Sequence, residues 1–215
     1  MGFAKLCVVE YIHNKSYINR MVLNMKLKKA NAVLGLMSVL CLLVHILYNS
    51  IAHIVNYNNP LLAALTAFPF VVMVCIHAVL GMCAVFLMGD GTRLDLYTKM
   101  NTRTVVQRVS AALIFPLLII HLKTHDIMMA AIKTGSTGLL VLIIMSHILF
   151  FAAVLLHIVP SVSKGMITLG LITTEKQQKN IDRLCVILGA ILFVFMVLTQ
   201  VRGLVGWFIS AGGAA

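Results

Sequence analysis

Apolar residues recur in five long runs along the chain, near residues 30–52, 60–88, 105–132, 137–163 and 183–209, and the polar and charged residues gather between them. A helix needs about 20 residues to cross the hydrocarbon of a bilayer, so each run predicts one transmembrane helix. The joining segments are short, which makes sequential helices antiparallel. The first of them, NSIAHIVNYNNP, holds Asn and Pro without a formal charge, as a tight turn does. Residues 1–28 mix polar and apolar positions and lack a long apolar stretch ending in small residues, so they are expected to form a cytoplasmic N-terminal lead-in and not a cleaved signal. Residues 29–215 then form the membrane domain.

Composition supports this division. A chain that is 61% hydrophobic and 11% charged, with mean hydropathy +1.02, lies far from the balance of a soluble domain. The formal charge of +11 raises the question of nucleic acid, but the cations sit between the spans. Residues 1–29, the second loop and the fourth loop hold 14 of the 17 Lys and Arg, leaving Lys123, Lys133 and Arg202 for the opposite side. By the positive-inside rule the N-terminus faces the cytoplasm and the C-terminus lies outside the cytoplasmic (inner) membrane. The expected surroundings are membrane lipid, with no nucleic acid. A basic inner face of this kind also suits docking of a peripheral partner.

The five cysteines, Cys7, Cys41, Cys75, Cys83 and Cys185, form neither CxxC nor CxxCH, which argues against iron–sulfur, zinc or covalently attached haem. The histidines are more informative. His45, His77, His121 and His157 fall one to each of the first four apolar runs, and an imidazole in hydrocarbon is a functional candidate by default. With a rise of about 1.5 Å per residue, His45 and His121 lie roughly 24 Å above the inner ends of their helices. His77 and His157, on helices of opposite direction, come roughly 12 to 16 Å above the same edge.

Depth therefore sorts the four into an outer pair, His45 with His121, and an inner pair, His77 with His157. Each pair joins alternate helices, as diagonal partners across a four-helix bundle do. This is the arrangement that bis-histidine haem b requires, with the macrocycle in the apolar core and two imidazoles on the iron. The expected fold is an all-α integral membrane protein of five transmembrane helices. Helices 1–4 form a four-helix bundle around two haems, and helix 5, which has no histidine, is peripheral. Gly35 and Gly81 are expected to clear space for a flat macrocycle or to allow close helix packing. His53, His125, Asp126 and His147 lie toward the outer side as candidates for a propionate, a quinone head group or a proton relay. The ordinary expectation for the three histidines among them is a hydrated interfacial side chain.

Four segments carry a family resemblance: HILYN at His45, IHAVLGM at His77, VVQRVSAALIFPLLIIHLKTH leading to His121, and the tract from His157 through Gly165 and Gly170 to TTEKQQ. On these the chain after residue 28 resembles the five-helix, dihaem cytochrome b membrane anchor of succinate:quinone oxidoreductases, the group of succinate dehydrogenases and quinol:fumarate reductases. The resemblance implies that His45 and His121 are axial ligands of the outer haem and His77 and His157 of the inner one. It also implies an iron–sulfur subunit and a flavoprotein on the cytoplasmic face, with menaquinone as the membrane substrate. Some members of that family carry a membrane glutamate close before the fourth ligand; here the neighbours are Val154, Leu155, Leu156 and Ile158.

The expected activity is that of a quinone-reactive electron-transfer subunit of a multisubunit oxidoreductase, with the succinate and fumarate chemistry on other chains. The nearest alternative is the dihaem cytochrome b subunit of a hydrogenase or formate dehydrogenase. A haem-free transporter with histidine sites is a third reading; it predicts inverted repeats or broken helices, and neither is evident in the sequence.

Overall fold

The computed structural model describes residues 2–55, 57, 59–88 and 98–212, with side chains described over 22–84, apart from 56 and 58, and over 102–212. The side chains of Lys5, Cys7, Lys15, Arg20 and Lys99, and residue Arg93 altogether, lie outside the described residues. Six helices and no strand are found among the described residues: α1 (Gly2–Val55), α2 (Pro60–Met88), α3 (Thr98–Leu122), α4 (Thr124–Thr134), α5 (Thr137–Thr168) and α6 (Glu175–Ser210). All but α4 contain a segment long and apolar enough to cross a membrane. Their large apolar side chains point outward, as with Leu61 at 67%, Phe68 at 69% and Phe115 at 70% exposure. Such a surface is stable only with lipid as solvent. The chain is an all-α integral membrane protein.

Helix α1 runs without a break through residue 28. One expectation changes in detail: the third apolar run is not one helix to residue 132. Thr124 Oγ1 donates to the His121 carbonyl at 2.7 Å, α3 ends at Leu122, and the chain restarts at Lys123 as α4. The polar segment HLKTHD cannot continue into hydrocarbon at low cost. Instead α4 packs against α5 and α6, fully burying Met128 and Ala131 among Leu140, Ile143, Leu204 and Phe208.

The turns are built by recognisable caps. Asn59 Oδ1 accepts from the backbone N–H of Leu61 and Leu62 at 3.0 and 3.3 Å, capping α2 just before Pro60. Tyr48 ties this turn to α1, since its hydroxyl donates to the Asn59 carbonyl at 2.8 Å and accepts the Asn59 N–H at 2.9 Å. Gly135, at φ 61°, ends α4 in a conformation that suits glycine, and Ser136 then caps α5. Thr174 and Gln177 form a reciprocal capping box at the start of α6.

Packing sets the site. Helix α1 packs on α2, α5 and α6, and α5 packs on α1, α3, α4 and α6. Among the described residues the backbones of α1 and α3, of α2 and α5, and of α2 and α3 make no close approach. The first four spans thus form a splayed bundle with α1–α3 and α2–α5 as its diagonals. Helix α6 lies against α5 and α1, outside that core. Below, inner denotes the basic end of the bundle and outer the opposite end.

Candidate functional site

In the inner layer, His77 of α2 and His157 of α5 meet across a diagonal, with ring centroids 6.3 Å apart and planes at 74°. Their hydrogen bonds define which nitrogen is free. His77 Nδ1 lies 3.1 Å from the Asn31 carbonyl and His157 Nδ1 lies 2.8 Å from the Gln107 carbonyl. A carbonyl can only accept, so both Nδ1 atoms donate and both Nε2 atoms keep a bare lone pair. Such a bond on the far nitrogen is what orients a metal-binding imidazole. Two imidazoles on opposite sides of one metal, each nitrogen about 2 Å from it, have centroids about 6 Å apart. The observed separation is of that size, and both residues could hold a metal through Nε2.

Neighbouring helices hold the layer in place. A Cβ at Gly35 would stand 2.9 Å from His77 Cε1, so the absence of a side chain lets α1 approach that ring. Gly35 therefore makes room for the imidazole itself. Gly81 meets only Asn31 Nδ2, at 4.0 Å. On the other side Gln107 Nε2 donates to Ser161 Oγ at 2.7 Å, and Ser161 Oγ in turn donates to the His157 carbonyl. With the bond from His157 back to Gln107, this latches α3 to α5. Toward the inner end, Arg103 makes two bonds to Asp182, at 2.8 and 2.9 Å, and a third to buried Ser163 at 2.9 Å. An open-sided furrow of about 580 Å³ runs between α3, α5 and α6 beside it, lined by Val106, Leu155, Val159, Gly189 and Phe193.

The outer layer is arranged differently from the expected pair. His121 stacks on Phe150, with centroids 5.1 Å apart, and its Nδ1 lies 3.1 Å from His147 Nε2. His45 is within electrostatic reach of His121, but its ring stacks on Phe70, and the Asn49 amide nitrogen lies 3.2 and 3.3 Å from its two ring nitrogens. His147 is only 2% exposed. The expectation of a hydrated interfacial side chain is therefore corrected for this residue: α4 and the bend at Lys123 cover it.

The other outer candidates separate into two groups. His53 hydrogen-bonds Gln200, faces the side-chain-free Gly203 and is within electrostatic reach of His147. His125 and Asp126 are exposed at the start of α4, where His125 lies against Trp207 and Asp126 pairs with Lys123 at 2.9 Å. The bond from Lys123 holds the Asp126 carboxyl below its usual range and raises the Lys123 ammonium. Asn31, Thr124, Ser161 and Asp182 join the site through contacts that carry no local signal in the sequence. Gln107 was visible only as part of the QRVS segment.

Compared with protein-family models, with curated proteins and with solved structures, the chain has no match to any.

Proposed function

We propose that this chain is the cytochrome b membrane anchor of a succinate dehydrogenase or quinol:fumarate reductase complex, holding two noncovalent b haems between a cytoplasmic iron–sulfur subunit and membrane menaquinone. The observation that carries the reading is the His77–His157 pair, 6.3 Å apart, with each Nδ1 committed to a backbone carbonyl. Residues of the chain divide the work. His77 and His157 offer Nε2 to the inner iron, and His45 and His121 are assigned to the outer one. Asn31 and Gln107 keep the inner rings in the tautomer that can ligate, and the apolar helix faces exclude water. Bound haem supplies reversible one-electron chemistry. Flavin and succinate chemistry are assigned to partner chains.

The basic inner face, with the N-terminus in the cytoplasm, is assigned to the iron–sulfur subunit. Quinone is assigned to the outer side, where His53, His125 and Asp126 retain hydrogen-bonding capacity. The decisive experiment is a reduced-minus-oxidised spectrum of the purified complex together with haem extraction by acidic organic solvent. Two b-type haems per chain are expected; recovery of one or none from active complex refutes the proposal.

A further inference from the structure

His147 is the one histidine of the outer half whose ring nitrogens both have partners that define its state. Its Nδ1 lies 2.9 Å from the Ile143 carbonyl of its own helix, so Nδ1 donates. A neutral ring then has a bare Nε2, and two groups lie within reach of that lone pair: His121 Nδ1 at 3.1 Å and Thr124 Oγ1 at 3.1 Å. Thr124 has a single hydroxyl proton, and the His121 carbonyl at 2.7 Å is the nearer acceptor for it. The donor to His147 Nε2 is therefore His121 Nδ1–H. A doubly protonated His147 would instead donate to His121 and would bury a charge in a site with 2% exposure and no carboxylate bond to offset it.

We infer that His147 is the positioning residue of the outer layer: by accepting the Nδ1–H of His121 it fixes that ring in the tautomer whose Nε2 is bare and able to take iron. The inner layer obtains the same result from backbone carbonyls of Asn31 and Gln107. Here α3 breaks at Lys123, one residue after the end of the helix, and the acceptor comes from a side chain of α5. An imidazole acceptor is stronger than a carbonyl and increases electron donation by the ligand it holds. An iron held by His121 would thus meet a stronger donor than one held by His77 or His157. This inference rests on the dihaem reading for its consequence, while the tautomer itself is a property of the chain.

The test has two arms. Nitrogen-15 NMR of the full chain without haem, labelled at histidine, should show His121 protonated at Nδ1 in the parent and in His147→Gln, whose amide oxygen can accept in the same place. His147→Leu should shift His121 toward the Nε2–H form. In haem-loaded complex His147→Leu should weaken outer haem retention by about 10- to 100-fold and move the outer potential upward, with the inner haem unchanged and His147→Gln close to the parent. A parent His121 protonated at Nε2 overturns the inference even where no variant assembles. Equal loss in both variants also overturns it, marking His147 as a ligand or a packing element. A parent with the expected tautomer and no haem refutes the dihaem reading and leaves the positioning geometry standing.

Discussion

His77 and His157 bring their rings to 6.3 Å although the helices that carry them, α2 and α5, make no close backbone approach among the described residues. The side chains alone bring these two helices together, each ring held at Nδ1 by a backbone carbonyl of another helix.

If the chain holds two haems as proposed, variants of the four histidines should fall into two spectroscopic groups. His77→Ala and His157→Ala should abolish the inner signal, and His45→Ala and His121→Ala the outer one, each leaving its counterpart in place. Difference spectra of the four purified complexes check this. Grouping of His45 with His77 would refute the assignment by depth.

Gly35 should not tolerate even a methyl group. Its Cβ would lie 2.9 Å from His77 Cε1 and 3.2 Å from Nδ1, forcing the ring off the Asn31 carbonyl. Overpacking of this kind costs about 1–3 kcal/mol, so Gly35→Ala should lower thermal stability and inner haem retention together. Gly206, with nothing within 4 Å of its Cβ position, is the control. Equal effects of the two alanines would refute the close-approach argument.

Arg103 and Asp182 join α3 to α6, two helices that do not otherwise pack closely among the described residues. The pair is 33% and 28% exposed, so water screens it and its coupling should be modest, about 1 kcal/mol in a double-mutant cycle. Arg103→Lys should lose most of it, because an ammonium cannot make the two parallel bonds to the carboxylate. Unfolding of Arg103→Lys, Asp182→Asn and the double variant in detergent measures the coupling; a value of zero would make the geometry incidental.

Tyr48→Phe should loosen the outer turn between α1 and α2. It removes one bond given and one received at Asn59, with a net loss of about 1 kcal/mol for each. Faster proteolysis near residues 55–60 in proteoliposomes, with unchanged haem content, is the expected result. Unaltered cleavage would show that the Asn59 cap holds the turn alone.

Turnover should respond to membrane potential if quinone reacts on the outer side while the iron–sulfur partner sits on the inner face. Moving one charge across 100 mV is worth about 2.3 kcal/mol. No Asp or Glu lies in the middle of a span to route compensating protons. Succinate–quinone activity in proteoliposomes should change when the potential is clamped; electroneutral turnover with proton exchange only inside would refute the outer quinone site.

The five spans, the antiparallel order and the inner histidine pair were legible from residues alone. His77 and His157 could be matched because the helical rise converts sequence position into depth. The outer layer was less legible. His45 and His121 share a depth, yet the ring partners of His121 are His147 and Phe150. The cause is the break at Lys123: α4 covers His147, which by position alone reads as interfacial. Arg103 with Asp182, 79 residues apart, had no signal in either local segment.

Hydrocarbon acts on each segment separately, so length and apolarity by themselves determined that this chain has five helices able to cross a membrane, and the rise per residue determined how far along its helix each histidine lies. Which helices touch was decided only by tertiary structure. A helix that is apolar on every side has no polar stripe to announce its buried face, and lipid rewards exposure of the rest as readily as a protein core does. The rotation of α5 that brings His147 to His121, and the approach of α1 at Gly35 to His77, follow from side-chain shape and hydrogen bonds between segments distant in the chain.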